Sequence, residues 1–113
     1  KEQVMANTFK VKTFDGSGTA ASSLMNIYTV PTSTTTVIIG LTIANTTSSQ
    51  ITVDIKLSAS STIFLAKTVP ILAGSSLEYM AGNKIIMEAG HTISVISNTA
   101  NSADSALSIM EIT

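Results

Sequence analysis

Apolar and polar residues alternate with a period of two along most of this chain, the spacing that places one face of a β-strand against a core and the other toward solvent. Phe9, Val11 and Thr13 alternate with Lys10 and Lys12, predicting a first strand with the Phe9 side buried, ended by the turn Asp15-Gly16-Ser17-Gly18. A second strand runs from Leu24 to Val30 and stops at Pro31, which has no amide to donate and belongs at a strand end or edge. Thr35 to Asn45 is the longest β-branched stretch. Strict alternation puts Val37, Ile39, Leu41 and Ile43 on one face there, and Ile38 on the other. In Gln50 to Ser58, Ile51, Val53, Ile55 and Leu57 alternate with Thr52, Asp54, Lys56 and Ser58. Only the short polar loop Asn45 to Ser49 separates these two, so they read as an antiparallel hairpin. Further strands are predicted over Thr62 to Val69, Ser76 to Tyr79, Lys84 to Met87, Thr92 to Ser97 (entered by the turn Ala89-Gly90-His91) and Ser105 to Thr113. In the last, Leu107, Ile109 and Glu111 share a face. Eight or nine short strands at this spacing, with no sustained helical period, predict an all-β chain: a two-layer antiparallel β-sandwich, jelly-roll-like.

At 113 residues, with no linker and no repeat at a fixed period, the whole chain, residues 1-113, is expected to be one domain. Residues 1-6 are expected to form a flexible or extended N-terminal arm. Met5-Ala6-Asn7-Thr8 has the look of an initiation site, which makes Lys1-Glu2-Gln3-Val4 an expected extension, and no signal-peptide pattern follows it. Solubility rests on uncharged groups, because 16 Ser and 17 Thr accompany only 12% charged residues. Six scattered Lys, no Arg and a net charge of −1 give no basic footprint for a phosphate backbone, so nucleic acid is not an expected partner. The apolar runs, such as Val37-Ile38-Ile39 and Ile85-Ile86-Met87, are far too short to span a bilayer. With no Cys, a disulfide framework and a thiolate metal site are both excluded for these residues.

The inventory for catalysis is correspondingly thin. His91 stands in Glu88-Ala89-Gly90-His91-Thr92 without a second His or a carboxylate cluster at ligand spacing, so a turn role is expected over a general base or metal ligand. Asp15, Asp54, Glu78, Glu88, Asp104 and Glu111 are spread one to a segment. Asp15-Gly16-Ser17-Gly18 lacks the alternate oxygen ligands and closing Glu of a calcium loop, and no Ser occupies a Gly-x-Ser-x-Gly elbow. The chain is therefore read as non-enzymatic, with no catalytic, cofactor-binding or metal site and no cofactor. Of Phe9, Phe14, Phe64, Tyr28 and Tyr79, at least three are expected in the core, which leaves little for stacking sugars. What remains is interface: apolar positions on both strand faces (Ile38 against Ile39, Ile85 against Ile86) exceed what one small core hides, and such a surplus is typically covered in an oligomer. Met25, Met80, Met87 and Met110 are read either as adaptable contact residues or as core fillers.

Four stretches, Ile27 to Pro31 with Thr34 to Asn45, Phe64 to Leu77, Ile86 to Ile93 and Ala106 to Thr113, resemble a class of small virion structural proteins of tailed phages, many from marine and cyanobacterial hosts. The position of His91 is commonly Asp in that class. The resemblance implies a jelly-roll-like sandwich located in the virion, most directly a capsid decoration or cement protein. Its partners would be itself, as a homo-oligomer with a trimer favoured, and a major capsid or tail protein. A receptor- or glycan-binding module of a tail fibre, using the loops Asn45 to Gln50 and Asn98 to Asp104, is the alternative expectation.

Overall fold

A computed structural model of the chain describes residues 6–79 and 84–113. Nine strands make up the regular structure of these described residues: β1 Asn7–Phe14, β2 Leu24–Thr29, β3 Thr35–Asn45, β4 Ile51–Ser58, β5 Thr62–Ile71, β6 Ser76–Tyr79, β7 Ile85–Met87, β8 Thr92–Ser97 and β9 Ala103–Ile112. They form two antiparallel sheets. Sheet A has the order β1-β9-β3-β6, with β7 also pairing β3, and sheet B has the order β2-β8-β4-β5. Strand β6 pairs Leu41 to Ala44 and β7 pairs Thr36 to Ile38, so the two follow each other along the edge of β3 that β9 leaves free. Taken as one interrupted strand, they make two four-stranded sheets in the jelly-roll arrangement that the strand spacing predicts.

The core lies between the sheets. Ile38, Leu41 and Ile43 of β3 with Leu107 and Ile109 of β9 face Ile51, Val53 and Ile55 of β4 with Ile93 and Val95 of β8, all essentially inaccessible to solvent. Each such side chain contributes roughly 1.5–3 kcal/mol of burial. Of the five aromatics, Tyr28 is buried, Phe14 and Tyr79 pack on the core, and Phe9 and Phe64 are exposed.

Three expectations about facing and pairing are corrected. First, β3 and β4 are not a hairpin: β3 lies in sheet A and β4 in sheet B, and β4 pairs with β5 instead. Their connection arches across the sandwich around Asn45, whose Nδ2 donates to the carbonyls of Ser49 (2.7 Å), Ile71 (3.0 Å) and Leu72 (3.2 Å) while its Oδ1 accepts from the Thr47 amide and hydroxyl. An alternating pattern says which side chains meet the core. It does not say whether the next strand lies beside or opposite.

Second, the ladder between β3 and β9 slips between Ile38 and Gly40, a bulge that inserts Ile39. Ile38 is therefore inside with Leu41 and Ile43, whereas Val37 and Ile39 lie on the outer face. Third, β1 faces the opposite way from expectation. Phe9 and Val11 are 72% and 61% exposed, while Phe14 packs on the core and Lys10 and Lys12, which share its parity, turn inward. Within the expected N-terminal arm, Ala6 continues the ladder by exchanging both backbone hydrogen bonds with Thr113. The rest of the arm lies outside the described residues, as does Met80.

Candidate assembly face

The inversion of β1 assembles the most unusual surface of the molecule. Phe9 is registered with Met110, Met110 with Val37, and Val37 with Ile86, so four apolar side chains stand in one row perpendicular to the strands on the outer face of sheet A. Directly opposed side chains across a sheet lie about 5 Å apart, close enough to form a continuous stripe. Val11, Ile112 and Ile39 flank it, and Ile86 is 66% exposed. With both lysines of β1 turned inward, β1, β9 and β3 place no cation beside the row, and the exposed Lys84 stands just before β7 at its far end. The acidic residues Asp104, registered with Ala44, and Glu78, registered with Thr42, lie toward the other end of the face, as does Asp15 beyond the end of β1.

The outer face of sheet B is of different character. Asn26, Thr29, Thr52, Asp54, Lys56, Ser58, Thr92 and Ser94 occupy it, and much of its hydrogen bonding is lateral: Ser94 Oγ donates to Asn26 Oδ1 (2.8 Å), and the hydroxyls of Thr29 and Thr92 (2.9 Å) and of Ser58 and Thr62 (3.0 Å) pair. Asp54 accepts from the amide of Thr68, whose φ is +56°, and meets Lys67 Nζ at 3.6 Å. The half-exposed ring of Phe64 lies under Lys56 and Lys67, at 5.1 and 4.5 Å. Sheet B thus has the more polar outer face, although Leu24, registered with Ile96, and Phe64 stand exposed on it.

The lysines of β1 turn inward because a buried anion waits for them. Glu111 shares the inward parity of Leu107 and Ile109, and its Oε1 meets Lys10 Nζ at 2.7 Å. Its Oε2 accepts from the Tyr28 hydroxyl at 2.5 Å, and that hydroxyl also contacts Thr36 Oγ1 at 2.8 Å. The Lys10 ammonium, then the Tyr28 hydroxyl, hold the Glu111 carboxyl below its ordinary range. Burial, then Glu111, pushes Tyr28 up to about 12. Lys12 Nζ approaches the Tyr28 ring at 6.0 Å. This network ties one edge strand of each sheet, β1 of sheet A and β2 of sheet B, to β9, and sequence reasoning missed it. Its signal was a carboxylate in phase with core residues at Glu111 and two lysines in phase with Phe14.

Of the residues weighed for chemistry, the fold brings Asp15 and Asp104 together at one surface cavity, also lined by Thr13, Phe14, Thr42 and Ala44, whereas His91 lies elsewhere. His91 closes the turn before β8: its amide donates to Glu88 O, its Nδ1 accepts from the Glu88 amide at 3.1 Å, and Gly90 supplies the positive φ of +87°. Asp15 caps its own turn through the Ser17 amide, which with the Ser17 hydroxyl keeps its carboxyl below the usual range. Asp104 receives the Gly16 amide. Among the described residues, no group of three or more His, Asp or Glu is placed to hold a metal ion. Several side chains of the two polar loops are engaged internally, while Ser48 and Gln50 are exposed. Asn45 builds the arch, Asn98 Oδ1 accepts from Thr52 N and Thr99 Oγ1, and the buried Ser102 hydroxyl bonds Ser97 Oγ and Thr99 O.

No protein-family model and no curated protein matches the chain. Its fold is similar to that of a protein of Bacillus endospore appendages, described as forming a novel family of disulfide-linked pili. The two share 14% identity with a TM-score of 0.51, over 99% of this chain and 89% of that one. At that identity the likeness is one of fold. The 113 residues of this chain include no cysteine with which to make such a link.

Proposed function

We propose that this chain is a structural subunit that works by packing against copies of itself and onto a larger assembly, and that the assembly is a virus particle, which it decorates or cements. The observation that carries the reading is the contiguous uncovered row Phe9, Met110, Val37 and Ile86 on sheet A. Contiguous exposed apolar surface marks an interaction site. A sandwich of similar fold serves in a bacterial appendage, which supports a building role without bearing on which assembly is built. The virion is supported by the resemblance of four stretches to tailed-phage structural proteins. The glycan-binding alternative has less support, because Asn45, Asn98 and Ser102 of the loops it relies on are engaged in internal hydrogen bonds.

Sedimentation velocity over a hundredfold concentration range, with and without purified tailed-phage shells, tests the proposal. Self-association or shell binding that is weakened at least tenfold by Phe9→Ser with Ile86→Ser is the expected result. A chain that stays monomeric and ignores shells, or whose association is indifferent to these substitutions, refutes it.

A further inference from the structure

We infer that a hollow on the outer face of sheet B is a binding site for an acidic saccharide, a sugar unit that carries a carboxylate or a sulfate. The site lies on the opposite sheet from the apolar row and away from the two polar loops. It stands whether or not the chain assembles through sheet A.

Strand register builds the hollow. Asn26 and Lys56 are both partners of Ser94, and Thr29 and Ser58 are both partners of Thr92, so two rows of polar side chains cross the sheet side by side. The short side chains of the interior strand β8 make the floor. Leu24 and Asn26 of β2 on one side, and Lys56 and Thr62 of β4 and β5 on the other, wall a cavity of about 310 Å³, at the lower end of the size range of small-molecule sites. Ser94 is only 4% exposed although it lies on the outer face, as the bottom of a walled hollow requires.

The chemistry of the ligand follows from what these groups still offer. Ser94 Oγ donates to Asn26 Oδ1 at 2.8 Å, which fixes the amide and leaves its two Nδ2 hydrogens without a protein acceptor among the described residues. Each of the hydroxyl pairs Thr29 with Thr92 and Ser58 with Thr62 uses one hydrogen and keeps the other, along with lone pairs. Lys56 is the one charged side chain lining the hollow. It makes no ion pair among the described residues, and its Nζ lies 5.1 Å from the Phe64 ring. Asp54, two residues before Lys56 on the same face, is engaged by Lys67 and by the Thr68 amide. Glu88 belongs to the turn that precedes β8. An ammonium on one wall and two amide donors on the other, about 10 Å apart across two strand spacings, select an oxyanion. A floor of hydroxyls that donate and accept alike matches the hydroxyls of a sugar ring, and the exposed Leu24 gives its C–H groups an apolar edge. A bare anion would leave the floor unused, and a neutral sugar would leave Lys56 unpaired.

NMR titration of the isotope-labelled chain tests the site, using a uronic-acid tetrasaccharide, a sulfated one, a neutral one and inorganic sulfate as probes. At least one acidic tetrasaccharide should shift the amide signals of Asn26, Lys56, Thr92 and Ser94. It should bind at least tenfold more tightly than the neutral sugar or inorganic sulfate, the order of one charge-assisted contact. Two substitutions on the walls should each weaken that binding at least tenfold. Asn26→Asp keeps the acceptor for Ser94 and exchanges two donors for a negative charge, and Lys56→Gln removes the cation. Phe9→Ser with Ile86→Ser, on the other sheet, should leave the binding unchanged. Equal affinity for the neutral sugar removes the role of charge, and equal affinity for inorganic sulfate removes the role of the sugar; either overturns the inference. Shifts confined to other parts of the chain, affinity indifferent to both wall substitutions, or no saturable binding at millimolar concentration overturn it as well, and leave the proposed structural role untouched.

Discussion

Replacing Lys10 by Met removes the ammonium that touches the buried Glu111 carboxylate and leaves the strand, its register and its outer face unchanged. Glu111 is 7% accessible at its side chain, and Lys10 and Tyr28 hold its two oxygens at 2.7 and 2.5 Å. Stranding one member of a buried pair costs about 3–5 kcal/mol. Lys10 is itself 43% accessible, so water can approach the vacated side, and Tyr28 still donates. These two facts lower the expected cost to about 2 kcal/mol. With an unfolding entropy of about 2.1 cal/mol/K per residue over this length, about 240 cal/mol/K, the loss is about 8 °C in Tm. The effect has a pH signature. The folded carboxyl titrates below its ordinary value, first because of Lys10 and then because of Tyr28. The stability it supplies is therefore fully present above the unfolded value, near 4.3, and is lost as pH falls through the folded one. The wild type and Lys10→Met should thus differ most at pH 7, and the gap should be smaller at pH 3 as the carboxyl takes up its proton. Thermal melts followed by circular dichroism at both pH values measure this, and the pair Lys10→Met with Glu111→Gln should recover most of the loss. A gap that is the same at pH 7 and pH 3, or no gap at pH 7, would show that the ion pair does not explain why β1 faces inward with its lysines.

Three further outcomes follow from the same geometry. Tyr28 ionises at about 12 because it is buried against Glu111, so absorbance at 295 nm should show a late phenolate. Since its folded value is raised, the stability it contributes is intact below about 10 and declines as pH climbs through the folded value. Removing the phenol (Tyr28→Phe) should abolish that late step, and a late step that survives would refute its assignment to Tyr28. Asn45→Ala strips the arch of its five side-chain hydrogen bonds and should cost about 2–3 kcal/mol in urea unfolding; a loss under about 0.5 kcal/mol would mean the arch is held by its flanking strands alone. Gly16→Ala would set its Cβ 1.9 Å from the Ala103 carbonyl oxygen, forcing backbone to move at the start of β9. It should destabilise by more than about 2 kcal/mol, whereas Gly18→Ser, which meets no atom within 4 Å, should cost about 1 kcal/mol through its φ of +82°.

The extents of most strands, and the inward faces of β4, β8 and β9, are legible in the alternation because most neighbours of each core position are polar or small. Pairing is not. A hairpin and an arch make the same demand on Ile43 and Ile51, and the residue that decides between them, Asn45, looks in sequence like any loop asparagine. The bulge at Ile39 is equally hidden: three consecutive β-branched residues satisfy either parity, and only the partner strand shows which one is extra. Strand β1 defeats its own local pattern for a stronger reason. Hydrophobicity puts Phe9 inside, but the preference of a phenyl ring for burial, about 2–3 kcal/mol, is met in the observed rotation by Phe14, which packs on the core, and the cation that Lys10 brings to the buried Glu111 carboxylate adds about 2 kcal/mol on the same side. Glu111, in phase with Leu107 and Ile109, carries that information about a hundred residues from Lys10 in the chain, where no local pattern links the two.

That exchange connects the core to the proposed work of the molecule. Turning Lys10 and Lys12 inward is a recognised way to protect an edge strand from adventitious pairing, since an incoming strand would have to bury or displace them. The same rotation necessarily turns Phe9 and Val11 outward, because successive side chains of a strand point to opposite faces. One ion pair inside thus does two things at once: it discourages growth of sheet A at its edge and exposes an apolar row on its face. If the row is an assembly surface, its hydrophobicity is specified by Glu111, a residue no partner touches. Substituting Glu111 should then weaken assembly along with stability, while Phe9→Ser should weaken assembly alone. Measuring both quantities on both variants separates a surface made by the fold from one that merely sits on it.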